Sequence, residues 1–263
     1  MLTLGISPCP NDTFGFHHLI HSSDGYDLTL DDVEVLNRGE LQVTKISVAG
    51  FGFLRDRYAM LRSGGAAGYG VGPLLVAAEQ REVGGRIAIP GRRTTAALLL
   101  RLLGDVGGAG EFETVEMRFD LIEDAVLRGE VDAGVLIHEG RFTHAEKGLV
   151  ALHDLGEVWE SKMHAPIPLG AIAIERSLGA ATARRVDSEI RQSVEHALAH
   201  PSDSDDFVRE HAQEMDPAVM RSHIDLYVND YTLDLDESAV EKLLEVGEGM
   251  GLYPPSDLPT FAY

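Results

Sequence analysis

The sequence predicts an α/β protein of two lobes, and three features of the chain point there. Short apolar runs alternate with segments of helical periodicity, the pattern of a largely parallel sheet covered by helices. Leu169–Ile174 is apolar at nearly every position, as a strand buried on both faces requires. Two glycine-bearing crossings, near Glu82–Arg86 and near Pro166–Gly170, predict a middle lobe, 84–169, inserted into an outer lobe built from 1–83 and 170–263. Paired crossings of that kind form a hinge, with a ligand cleft between the lobes.

Leu2–Ser7 reads as the first strand, and Asn11 or Asp12 is placed to cap a helix through about His21. Val43–Ile46 is a second strand, with Ser47 capping a helix that runs toward Arg57. Met60–Arg62 leads into the glycine-rich loop Gly64–Gly72 and the strand Pro73–Ala78. Beyond the polar link Glu79–Gly85, strand Arg86–Ile89 precedes a helix opened by Thr94 or Thr95 and ending near Leu103. Val115–Arg118, helix Leu121–Arg128 and strand Ala133–Ile137 follow. After Leu169–Ile174 the chain turns helical, over Arg184–His200, Asp206–Glu214, Pro217–Tyr227 and Glu237–Met250. Pro217 behind Asp216 is a first-turn proline following its cap.

Charge excludes one class of partner. The 263 residues include 43 acidic side chains against 22 Lys and Arg, a formal net charge of −21, which repels a phosphate backbone. Lysine stands only at 45, 147, 162 and 242. Acidic surface with little lysine suits a high-salt cytoplasm, where screening relieves self-repulsion, or is simply an acidic composition; both readings stay open. No apolar run reaches the ~18 residues of a membrane span. The N-terminus lacks the features of a signal peptide, and the single cysteine fits a reducing interior, so the expectation is cytoplasmic.

Several motifs bear on chemistry. Gly64–Gly72 lacks the Gly-Lys-Ser/Thr ending of a phosphate loop and leads into a strand, so it reads as a tight turn beside a ligand. His17 and His21 have the spacing of two zinc ligands, yet no glutamate base or third ligand accompanies them, which favours packed histidines. Cys9 precedes a helix, where a thiol can be activated, although a lone small residue more often packs. Pro90-Gly91-Arg92-Arg93-Thr94-Thr95-Ala96 joins a strand to a helix N-terminus with two arginines, a seat for a carboxylate, against the alternative of an ordinary cap. His138 closes the run 133–137 and emerges at the C-terminal end of a parallel strand, where open α/β sheets hold ligands and an imidazole can accept a proton, against the alternative of a histidine that merely closes the strand.

Together Ser7-Pro8-Cys9-Pro10-Asn11-Asp12-Thr13-Phe14, Thr44–Ser47, Leu61–Gly65 with Gly70–Pro73, Pro90–Ala96, His138–Thr143 and Pro168–Ile172 resemble the 1,4-dihydroxy-6-naphthoate synthase family of the futalosine route to menaquinone. The resemblance implies a type II periplasmic-binding-protein-like fold with mixed sheets. It also implies carbon–carbon cleavage of cyclic dehypoxanthine futalosine, a small-molecule carboxylate, without metal or organic cofactor. It assigns His138 as proton acceptor, Lys45, Ile46 and Ser47 to one side of the substrate site, and Thr95 and Ala96 to the other; Asp12 lies in the signature block and faces the cleft. Lys45, Arg92, Arg93 and Arg141 would make the site locally positive. Two departures stand out: glycine at 140 where the family usually has serine, and a segment 36–43 about one helical turn shorter than expected. The alternatives are chorismate dehydratase of the same route and a carboxylate-binding protein without activity.

Overall fold

Which strands pair is a tertiary matter, and a computed structural model describing residues 1–212 and 216–263 shows the pairing adopted. The chain divides into two compact units, Met1–Gly68 with Pro168–Tyr263, and Tyr69–Ile167. The first carries β1 (Leu2–Ile6), β2 (Tyr26–Leu30), β3 (Val43–Ser47), β4 (Tyr58–Met60) and β5 (Ala66–Gly68). The second carries β6 (Leu74–Ala77), β7 (Gly85–Ile89), β8 (Phe112–Glu116), β9 (Ala133–Leu136) and β10 (Val150–Asp154), and the chain leaves it through β11 (Ile167–Glu175).

The first sheet runs β2-β1-β3-β11-β4, with β5 also paired to β11; the second runs β10-β6-β9-β7-β8. Strands β1, β2 and β3 are mutually parallel neighbours through β1, whereas β11 lies antiparallel to β3 and β4. In the second sheet β7 is parallel to β8 and β9, and β6 is antiparallel to β9 and β10. Both sheets are therefore mixed, as the family resemblance implies and unlike the largely parallel sheet that alternation alone suggests. The strands that run against their neighbours are β11 and β6, beside the two crossings, whose direction no local pattern reveals.

The first boundary falls between Gly68 and Tyr69, earlier than the expected 83/84. The reason is register: Leu74, Leu75 and Val76 pair with Leu136, Val135 and Gly134, which ties β6 to the second sheet. The return lies at Ile167–Pro168, beside the expected Leu169–Gly170. Strand β8 sits at Phe112–Glu116, not Val115–Arg118, because Gly85 through Ile89 align with Phe112 through Glu116. Strands β2 and β10 were not legible in the sequence; both are sheet edges with half-exposed side chains and weak patterning. The helix Leu155–Met163 also went unread, although its Trp159 is fully buried.

Helix boundaries shift for local reasons. The first helix is Pro10–Ser22 with Cys9 at its N-cap, so Asn11 and Asp12 lie inside the first turn and are not caps; proline favours the first helical position. The helix after Ser47 is a single turn, Val48–Phe51, and the chain continues to Arg57 in turns. The long helix begins early, at Gly179, and ends at Ala199. Helix Asp205–His211 matches the start of the expected Asp206–Glu214, whose end at Glu214 lies outside the described residues. Pro217–Tyr227 and Glu237–Gly249 follow.

Each unit has its own core. In the first, Leu4, Ile6, Val43, Ile172 and Ile174 from the sheet meet Phe16, Leu19, Val186 and Ile190 from the helices Pro10–Ser22 and Gly179–Ala199. In the second, Leu74, Val76, Ala88 and Leu136 pack on Ile122, Ala125 and Val126. Each fully buried aliphatic or aromatic side chain contributes ~1.5–3 kcal/mol. No helix among the described residues is long and apolar enough to cross a membrane.

Candidate active site

In the first unit, the turn after β1 and the central strand β3 bring a carboxylate and an ammonium together in the interior. Asp12 lies in the first turn of Pro10–Ser22, where the helix dipole favours a negative charge. Its Oδ1 accepts from Lys45 Nζ at 2.6 Å and from Asn11 Nδ2 at 2.9 Å. Its Oδ2 accepts from Ser7 Oγ at 2.6 Å and from the Ser7 N–H at 3.2 Å. Lys45 Nζ also donates to the Gly64 carbonyl at 3.0 Å. Asp12 and Lys45 are 2% and 5% exposed, so the pair is held in low dielectric with its hydrogen bonds in place. Gly64 has φ of +82°, and a Cβ there would meet Ile172 Cγ1 at 2.8 Å and Phe16 Cζ at 2.9 Å. Only glycine lets this turn present its carbonyl to the lysine.

Strand β3 ends at Ser47, which the side chain of Asn37 grips twice. Asn37 Oδ1 accepts from the Ser47 N–H at 2.8 Å, and Asn37 Nδ2 donates to Ser47 Oγ at 3.2 Å. Asn37 is fully buried and closes the short helix Val33–Leu36. The 36–43 segment delivers β3 in register, because Leu4 pairs with Val43 and Thr3 and Gln42 exchange side-chain-to-backbone hydrogen bonds. Ile46, paired with Ala171 of β11, is fully buried.

In the second unit, β9 is flanked by β6 and β7, and the chain turns sharply after it. His138 takes φ of +55°, a left-handed conformation that is costly for any residue but glycine. Its ring meets Phe119 edge-on, with centroids 4.9 Å apart and planes at 69°. The following residues wind into the single turn Gly140–Thr143, with Phe142 N–H bonded to the Glu139 carbonyl at 2.9 Å. Beneath it, Glu123 pairs with Lys147 through Oε2, while its Oε1 is buried without a hydrogen-bond partner. Backbone strain at a strand end is often retained where it aims a functional side chain.

The helix Thr95–Asp105 opens at Thr94, which is the N-cap: its Oγ accepts from the Ala97 N–H at 3.2 Å and donates to the Gly91 carbonyl at 2.7 Å. Thr95 and Ala96 form the first turn, both 3% exposed. The positive site expected from four cations is weaker than their number suggests. Lys45 is neutralised by Asp12, and Arg141 is bound to Asp154 Oδ2 at 2.8 Å and to the Gly72 carbonyl. Arg92 lies 3.9 Å from Glu116. Lys45 and Arg141 therefore act as frameworks for their loops more than as free charges.

The structure brings Asp12 and Lys45 together at bonding distance, places Ser47 at the end of the same strand, and puts Thr95, Ala96 and His138 in the second unit. Sequence reasoning missed Asn37, Phe119 and Glu123. Asn37 is an ordinary helix-end residue until β3 folds against it, and Phe119 lies in a segment that carries no motif. His17 and His21 pack with ring centroids 4.2 Å apart, and His21 Nδ1 faces the His17 carbonyl at 2.8 Å. Among the described residues no three His, Cys, Asp or Glu side chains converge as metal ligands. Cys9 is buried at the N-cap of Pro10–Ser22 and forms no disulfide.

Comparison with known proteins shows the family and the fold. A family model described as menaquinone biosynthesis matches residues 2–248. A 1,4-dihydroxy-6-naphthoate synthase of Thermus thermophilus is 47% identical over 273 residues, covering 99% of this chain and 98% of the relative. One from Streptomyces coelicolor is 45% identical, covering 96% and 95%. A crystal structure from Archaeoglobus fulgidus superimposes with a TM-score of 0.89 at 36% identity, over 95% of this chain and 98% of that one. The ligand-binding component of an ABC-type import system from Staphylococcus aureus (TM-score 0.72, 13% identity, 100% and 96% coverage) and the aliphatic sulphonate binding protein of Escherichia coli (0.68, 12%, 100% and 91%) share the fold. The architecture is that of periplasmic binding proteins.

Proposed function

The chain belongs to the menaquinone-biosynthesis family, and from that premise we propose that it is an enzyme cleaving cyclic dehypoxanthine futalosine to 1,4-dihydroxy-6-naphthoate and a sugar-derived fragment. The observation that carries the proposal is the near full-length identity to two proteins named for that product, joined to the presence of His138 beyond β9. In this reading neutral His138 takes a hydroxyl proton from the substrate. The oxygen's electron pair then forms a carbonyl as the adjacent carbon–carbon bond breaks, the electrons of that bond pass to the other carbon, and aromatisation of the product supplies the driving force. The protein's work is orientation and exclusion of water.

The remaining assignments follow from chemistry. The N–H groups opening the helix at Thr95 and Ala96 receive the substrate carboxylate, since a helix N-terminus stabilises an anion without needing a free cation. Ile46 and Ser47 of β3 are substrate contacts, and Asn37 fixes the Ser47 hydroxyl for that role. Lys45 and Asp12 supply one rigid hydrogen-bonding pair, with Asp12 setting the position of the ammonium.

Purified protein incubated with cyclic dehypoxanthine futalosine, at low and high salt, tests the reading by chromatography. The naphthoate forms with the wild type and is lost in His138→Ala, which keeps its fold. No naphthoate in either salt would refute the activity, and turnover of chorismate would then redirect it. Undiminished naphthoate formation by His138→Ala would refute the proton-acceptor role alone.

A further inference from the structure

We propose that Phe119 is a positioning residue, which holds the His138 imidazole in its working orientation. The inference rests on the proposed role of His138 and extends it to a residue outside the motifs. His138 stands two residues before the Gly140–Thr143 turn, half-exposed and strained at φ of +55°. Proton acceptance requires the imidazole to present one nitrogen in the right direction, so a contact that holds the ring plane bears directly on turnover. The edge-on contact at 4.9 Å and 69° is the favoured geometry of an aromatic pair, and it fixes the ring plane without consuming either ring nitrogen.

The segment that carries Phe119 is built to hold still. Met117 N–H bonds to the Ile89 carbonyl at 3.1 Å, which extends the pairing of β8 with β7 up to the turn. Leu121 N–H bonds to the Arg118 carbonyl at 3.0 Å, closing the turn Phe119–Leu121. Arg118 and Asp120, on either side of the phenylalanine, are joined by two hydrogen bonds of 2.5 and 2.6 Å. The helix Ile122–Leu127 then begins with Ile122 fully buried, which anchors the turn to the core of the second unit. Glu123, one residue further, reaches under Gly140, where a Cβ would stand 3.4 Å from its Oε1. One short segment thus supports both the histidine ring and the turn that follows it.

The test uses Phe119→Leu, which keeps apolar bulk but removes the flat ring, and Phe119→Tyr, which restores the ring. Turnover of cyclic dehypoxanthine futalosine by Phe119→Leu should show kcat reduced about 10–100-fold with KM little changed, because orientation is lost while the carboxylate seat is intact. Phe119→Tyr should recover most of that kcat. The imidazole proton resonances of His138, assigned by their disappearance in His138→Ala, should lose their ring-current shift in Phe119→Leu and keep it in Phe119→Tyr. Wild-type kcat in Phe119→Leu would overturn the proposal, as would an equal loss in Phe119→Tyr or a loss confined to KM. Turnover surviving in His138→Ala would instead refute the base assignment on which the proposal rests.

Discussion

Breaking the buried Lys45–Asp12 pair from its two ends should give unequal results, and the inequality follows from how many partners each group keeps. Asp12→Ala leaves the Lys45 ammonium 5% exposed with the Gly64 carbonyl as its remaining bonded acceptor, and strips Ser7 of the acceptor for both its N–H and its hydroxyl. Removing one member of a buried pair in this way costs ~3–5 kcal/mol. Lys45→Met leaves Asp12 with Ser7 Oγ, the Ser7 N–H and the Asn11 amide, three donors that continue to stabilise the carboxylate. That loss should be smaller, ~1–2 kcal/mol, the worth of a charge-assisted hydrogen bond. The double variant, lacking any orphaned ammonium, should be more stable than Asp12→Ala alone. Urea titration reads the three values without the screening that guanidinium would add. Equal costs for the two single variants, or additivity in the double, would show that Lys45 escapes to water when Asp12 is absent and would refute the argument.

Three further outcomes are expected. Gly140→Ser should be more stable than Gly140→Ala by ~1 kcal/mol, because both add a Cβ against Leu136 at 3.3 Å but only serine brings a donor to the orphaned Glu123 Oε1; equal melting temperatures would count against it. His138→Gly should be more stable than His138→Ala by ~1 kcal/mol in thermal unfolding, since glycine alone relieves the left-handed backbone. Acid should destabilise the first unit through its histidines. Burial, then the neighbouring His21, lowers the pKa of His17, and burial, then His196, lowers that of His18, both from 6.5. The unfolded chain thus binds more protons below about 6.5, so this contribution is fully present above that value and falls as pH drops through it. Melting at about pH 7.5 and about pH 5.5 should show a drop that is smaller in His17→Gln/His18→Gln; an identical drop would exclude these two groups.

Much of this molecule could be read along the chain because the features are local. The alternation of strands and helices, the apolar stretch that became β11, the proline after Asp216 and the threonine cap at 94 are all set by neighbours a few residues apart. His138 at the close of 133–137 was visible for the same reason, and so were Lys45 and Ser47 within one strand. The signature around Asp12 identified the family, and the extent of the match confirms it.

What the sequence could not determine is which segments meet. Assignment of β6 to the second sheet, and with it the unit boundary at Gly68, depends on pairing with Val135 and its neighbours some sixty residues onward. The direction of β11 against β3, the closure of Asn37 on Ser47, and the neutralisation of Lys45 and Arg141 by Asp12 and Asp154 are likewise contacts across sequence distance. Phe119 belongs here too, an unremarked residue after an edge strand until β8 and β9 are drawn beside β7. Periodicity and caps are read from residues that touch along the chain. Partners in a sheet or a buried ion pair are chosen by the packing free energy of the whole unit, and only the folded structure records that choice.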